Sequence, residues 1–143
     1  MAAKLKTVYA PDLSTSRSQS LYEAQVPAGF PSPATDYEED KLDLNKYLIK
    51  NPVATFFVKV TGDSMIGAGI HHGDLLVVDR SIEPKDKRVV IAVLDGELTV
   101  KRIRIRGGKV TLQPENLDYC SQEISEGAEF EIWGVVTSVI HKL

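Results

Sequence analysis

Hydrophobic and polar positions change rhythm along the chain. Residues 1–40 show little periodic apolar pattern, and "DLSTSRSQS", "AQVPAG" and "GFPSPATDYEED" are dominated by proline, serine and acids. That composition predicts a flexible N-terminal arm over 1–40, with local extended pieces. In "DLNKYLIKNP", Leu44, Tyr47 and Leu48 fall at i, i+3 and i+4 and give one apolar face, which predicts a short helix. Asp43 can cap it, because its carboxylate accepts from the free N–H groups of the first turn. Pro52 is expected to stop it.

Beyond this point strand signals dominate. "ATFFVKV" (54–60) is rich in aromatic and β-branched residues, and "DLLVVD" (74–79) and "RVVIAVL" (88–94) are short apolar runs suited to buried strands. "ELTVKRIRI" (97–105) alternates, with Asp95-Gly96 as a turn signal before it. "KVTLQ" (109–113) follows Gly107-Gly108, and "EFEIWGVVTSVI" (129–140) ends the pattern. The expected fold is mostly β, a compact domain over 41–143 of about seven short strands with a short helix.

Composition narrows the function classes. The chain has 143 residues, 43% of them hydrophobic, enough for one globular core. The formal net charge of −3 argues against a broad nucleic-acid footprint, and no strong direct DNA binding is expected. The basic run "KRIRIR" (101–106) is local, and its arginines fit an ion-paired or partner-binding surface. The single cysteine, Cys120, allows neither an intrachain disulfide nor a cysteine-based metal cluster. No stretch reads as a signal peptide or a membrane span, so a soluble, cytoplasmic protein is expected.

The candidate chemistry centres on "TGDSMIGAGIHHGDLLVVD" (61–79), where Ser64 lies between two strand-like runs. A hydroxyl needs a nearby base to act as a nucleophile at neutral pH. His71 and His72 are close in sequence, but "GIHHGD" reads as a solvated turn, and nothing places an acid behind either ring. A metal site is not expected, because the third histidine, His141, sits two residues from the C-terminus. The other base is Lys101. In a regular strand it shares a face with Thr99, Ile103 and Ile105, a partly apolar side where burial lowers a lysine pKa. From alternation alone, a surface charge in a basic strand is the commoner case.

Together, "GDSM", the following "GIHHGDLLVVD" and "DGELTVKRI" after "IAVL" resemble the self-cleaving serine peptidases of the LexA/UmuD family. Ser64 and Lys101 are 37 residues apart, which suits that family's Ser/Lys dyad. "GFPSPATDYEEDKLDLNKYLIKNPVATFFVKVTGDSMI" and "IWGVVTSVI" are similar to the UmuD branch, and the likeness runs from Gly29 to Leu143. A LexA-type helix-turn-helix domain is not expected in the first 28 residues.

The resemblance implies a peptidase with catalytic Ser64 and Lys101 that cuts its own Ala28-Gly29 bond, in "PAGF". Thr99 would orient Lys101, Met65 would line the cleft or pack, and Asp63 would be a turn residue. It implies no cofactor or metal. It also implies a homodimer, a RecA filament on single-stranded DNA as coprotease, and a UmuC-like Y-family polymerase subunit that receives the processed form for error-prone translesion synthesis in the SOS response. The alternative is a non-catalytic dimeric interaction or regulatory subunit of such a polymerase.

Overall fold

A computed structural model describes residues 4–22 and 38–143. In chain order the elements are β1 (Lys4–Tyr9), β2 (Ser18–Tyr22), β3 (Glu38–Asp43), α1 (Leu44–Leu48), β4 (Thr55–Thr61), β5 (Leu75–Asp79), β6 (Val89–Leu94), β7 (Glu97–Arg106), β8 (Lys109–Gln113), β9 (Gln122–Glu123) and β10 (Phe130–Ile140). Two units result, one of 4–11 with 51–143 and one of 12–22 with 38–50. The mostly β expectation with one short helix holds. The described residues contain ten strands rather than seven. The extra ones are short segments whose strand character comes from a partner strand and not from their own apolar rhythm.

In the larger unit every pairing is antiparallel, and the order is β1-β4-β5-β10-β6-β7-β8-β9. Lys4 also pairs with Thr99, so β1 returns to β7 and six strands form a closed ring. Closure leaves fewer free sheet edges to be capped. Asp95 and Gly96 both have positive φ, 50° and 83°, as a two-residue hairpin turn between β6 and β7 requires.

The continuous apolar runs are explained by burial on both faces. Val77 and Val78 are both fully buried, as are Val90 and Ile91. One core cluster holds Val58, Val60, Met65, Ile70, Leu76, Val78, Ile91 and Val100. Val90, Ile103 and Val135 form a second. β10 runs between β5 and β6 and shifts register against each of them. Gly134 is forced at the first of these shifts, since a Cβ there would lie 2.6 Å from the Val78 side chain.

In the smaller unit β2 pairs with β3, and α1 follows directly. Asp43 caps α1 as expected: its carboxylate accepts from Asn45 N–H at 3.0 Å and from the Ser16 hydroxyl at 2.9 Å. Two details differ from expectation. The helix ends at Leu48, where Ile49 turns extended, and Pro52 instead opens a separate 3-10 turn, Pro52–Ala54. Leu44 and Tyr47 are exposed, because one and a half turns of helix are too short to seat a full apolar stripe. Among the described residues, no helix is long and apolar enough to cross a membrane.

Candidate active site

Ser64 lies in the turn that leaves β4. Gly62 takes φ 90°, reversing the chain, and Met65 drops into the main core with no exposed surface. Burying Met65 draws its neighbour Ser64 beneath the surface as well, where it is fully buried. A short 3-10 turn, Ile66–Ala68, follows and is closed by Gly69 at φ 80°. Met65 therefore packs in the core.

A second segment clamps this turn from outside. Glu115 N–H donates to Ser64 C=O at 2.8 Å, and Gly67 N–H donates to Glu115 C=O at 2.7 Å. Asn116 Nδ2 donates to Asp63 C=O at 3.0 Å. The Tyr119 hydroxyl donates to the Asp63 carboxylate at 2.5 Å. That bond holds the Asp63 carboxyl below its ordinary range and raises the Tyr119 hydroxyl to about 12. Asp63 thus serves the turn. Glu115, Asn116 and Tyr119 were not visible in the sequence as site residues. "QPENLDY" carries only generic turn signals, and its role comes from contacts roughly fifty residues back along the chain.

Lys101 reaches the serine from β7. Its register partner is the fully buried Val90, so the stem of the side chain lies along apolar surface. Nζ lies 3.1 Å from Ser64 Oγ, 2.8 Å from Thr99 Oγ1 and 3.1 Å from Val100 C=O. Burial lowers the lysine pKa from 10.5 to about 8. Three such contacts suit an ammonium, and a neutral amine can also meet them. Two N–H bonds can go to Thr99 Oγ1 and Val100 C=O, and the lone pair is then left facing the serine hydroxyl. An ammonium has no lone pair and can only donate to that oxygen. The arrangement is therefore suited to taking a proton from Ser64.

Beside the pair is a cavity of about 180 Å³. Its lining includes Leu94, Leu98, Leu112, Cys120, Thr99 and Lys101. Glu97 and Gln122 complete the lining, so apolar and polar walls meet beside the amine, with room for a small, extended segment. Ala28 and Gly29 lie outside the described residues.

The histidines are engaged elsewhere. His72 Nδ1 accepts from Gly62 N–H at 3.1 Å, and His71 N–H donates to the Asp74 carboxylate at 2.7 Å. The basic strand is ion-paired. Arg102 contacts the Glu115 carboxylate and donates to Lys87 C=O, and Arg104 lies 3.3 Å from Asp86. Arg102 thereby ties the segment holding Ser64 to the strand holding Lys101.

The Peptidase S24-like family model matches residues 20–137. Protein SamA of Salmonella typhimurium is 49% identical over 122 residues, covering 85% of this chain and 84% of that protein. Protein ImpA of Escherichia coli is 47% identical over 130 residues, covering 85% and 83%. Protein MucA of Escherichia coli is 44% identical over 118 residues, covering 82% and 80%.

Proposed function

The chain belongs to the Peptidase S24-like family and is a UmuD-type self-cleaving serine peptidase of SOS mutagenesis; on that premise we propose that Ser64 is its nucleophile, Lys101 its general base, and Ala28-Gly29 the bond it cuts. The observation that carries this assignment is the 3.1 Å contact between Lys101 Nζ and Ser64 Oγ, with the amine's pKa lowered by burial.

The reaction follows from the chemistry of the two groups. The segment around Ala28-Gly29 lies extended in the cleft, where small residues let the backbone approach the hydroxyl. Neutral Lys101 takes the proton as Ser64 Oγ attacks the carbonyl carbon of Ala28. Backbone N–H groups of the serine turn, that of Ser64 among them, stabilise the oxyanion. The lysine ammonium then protonates the Gly29 nitrogen, and the C–N bond breaks. Water, deprotonated by the regenerated amine, hydrolyses the ester at Ser64. Thr99 positions Lys101 by accepting one of its N–H bonds.

The partners follow from the same premise. The protein acts in the cytoplasm as a homodimer. A RecA filament on single-stranded DNA favours the cleavage-competent conformation and supplies no catalytic group. The fragment beginning at Gly29 joins a UmuC-like Y-family polymerase in error-prone translesion synthesis.

The test is an intact-mass measurement after incubation with RecA, single-stranded DNA and nucleotide. A fragment starting at Gly29, lost in Ser64→Ala and in Lys101→Ala, supports the assignment. Cleavage at another bond, or persistence in either variant, refutes it.

A further inference from the structure

We propose that His71, Asp74 and His141 form a binding site for a divalent transition-metal ion of the zinc class, separate from the Ser64–Lys101 pair. Among the described residues, one ligand atom from each of these three side chains lies within 4.8 Å of the other two. The cluster is assembled by the β5–β10 ladder. Ile140 pairs with Leu75, which brings the residue after β10 beside the residue before β5. His141 and Asp74 are 67 residues apart in sequence, and no local motif announces them.

The donor set suits such an ion. Asp74 is buried, with 3% of its surface exposed, and its carboxylate is aimed by the His71 N–H at 2.7 Å. His141 Nδ1 meets the other carboxylate oxygen at 2.5 Å, and His71 Nδ1 lies 3.7 Å from the first. The imidazole centroids are 4.7 Å apart. Donors that share a tetrahedral ion about 2.0 Å away stand about 3.3 Å from one another. Both imidazoles are roughly half exposed and can turn by that small amount, whereas the carboxylate is already fixed. Two imidazoles with one carboxylate favour zinc-class ions over calcium or magnesium, which prefer oxygen-only shells. Water completes the coordination from the open side.

A bound ion would pin the end of β10 to the 70–74 turn. That turn follows directly on the segment bearing Ser64, and Ile70 is anchored in the same core cluster as Met65. Metal binding would therefore stabilise the larger unit by mass action on the folded state.

The experiment titrates Zn2+ into the full chain carrying Cys120→Ser, which removes a competing exposed thiol, and follows heat of binding and thermal midpoint. One ion per chain is expected, with a rise in midpoint. His71→Ala and His141→Ala should each weaken binding at least about tenfold, and His72→Ala should leave it unchanged. Co2+ substitution should give the visible absorption of a low-coordinate nitrogen–oxygen site in the parent, lost in His141→Ala. No saturable binding, binding unchanged in both His71→Ala and His141→Ala, or equal loss in His72→Ala would overturn the proposal. The histidine variants change exposed rings, and their folding is verified by a single cooperative metal-free unfolding transition; His141→Ala also removes a contact to the buried Asp74, so each variant's rise in midpoint is read against its own metal-free value.

Discussion

Raising pH should accelerate spontaneous self-cleavage over a limited window set by Lys101. Its pKa is lowered to about 8 by burial, and the reactive form is the neutral amine. The sign follows directly. Deprotonation creates the base, so the rate rises as pH passes through the lowered pKa and levels off above it. With that value, roughly one-tenth of the amine is neutral at pH 7, half at pH 8 and nine-tenths at pH 9. The rate should therefore increase about tenfold from pH 7 to pH 9 and then flatten. A lysine with an ordinary pKa near 10.4 would give about a hundredfold rise over the same range, still climbing at pH 9.5. The assay is a single-turnover time course of the purified chain without RecA, with fragment quantified by intact mass at half-unit pH steps. A pH-independent rate, or a log-linear climb past pH 9.5, would refute a buried lysine base. Thr99→Val offers a second arm. It keeps the shape but removes one acceptor of the amine, so it should slow cleavage at every pH and leave the plateau form intact.

Two further substitutions test the framework around the pair. Gly67→Ala places a Cβ 2.7 Å from Glu115 C=O, so the clamp on Ser64 must move; stability should fall by about 1–3 kcal/mol in denaturant unfolding, with slower cleavage. Asp79→Ala removes the acceptor of Asn51 Nδ2 at 2.7 Å and of the Ser81 N–H and hydroxyl at 2.8 and 2.6 Å, and should cost about 1–3 kcal/mol at pH 7. Burial pushes the Asp79 carboxyl up, but the bonds from Asn51 and Ser81 outweigh it and leave the pKa lowered. Its contribution is therefore complete above the ordinary carboxylate range and is lost as pH falls through the lowered value. The stability gap between parent and variant, followed by denaturant titration, should shrink in acid; a gap that widens there would show the bonds do not favour the carboxylate.

Local pattern was enough to place most of the sheet. Runs such as "LLVVD" and "VVIAVL" are short, rich in β-branched residues and apolar on both faces, as strands buried on both faces are. Asp95-Gly96 announced its hairpin because few other residue pairs tolerate two positive φ angles. Alternation also put Thr99 and Lys101 on one face of one strand, which is where they meet. β1 was less legible, since "KLKTVY" becomes a strand through its hydrogen bonds to β4, and a partner strand leaves no mark in local periodicity.

Residue types and short-range geometry were legible before any folding: a serine in a glycine-flanked turn, a lysine on a half-apolar strand, and two histidines in a turn. Their environments came from the folded chain. It set Lys101 Nζ at 3.1 Å from Ser64 Oγ with two acceptors for its N–H bonds, and it supplied the Glu115–Tyr119 clamp. It also brought His141 to Asp74 through the register of β10 on β5. The difference is one of range. Dihedral preference and apolar periodicity act over a few residues, whereas desolvation and hydrogen-bond geometry depend on strands that meet only after the chain has closed on itself.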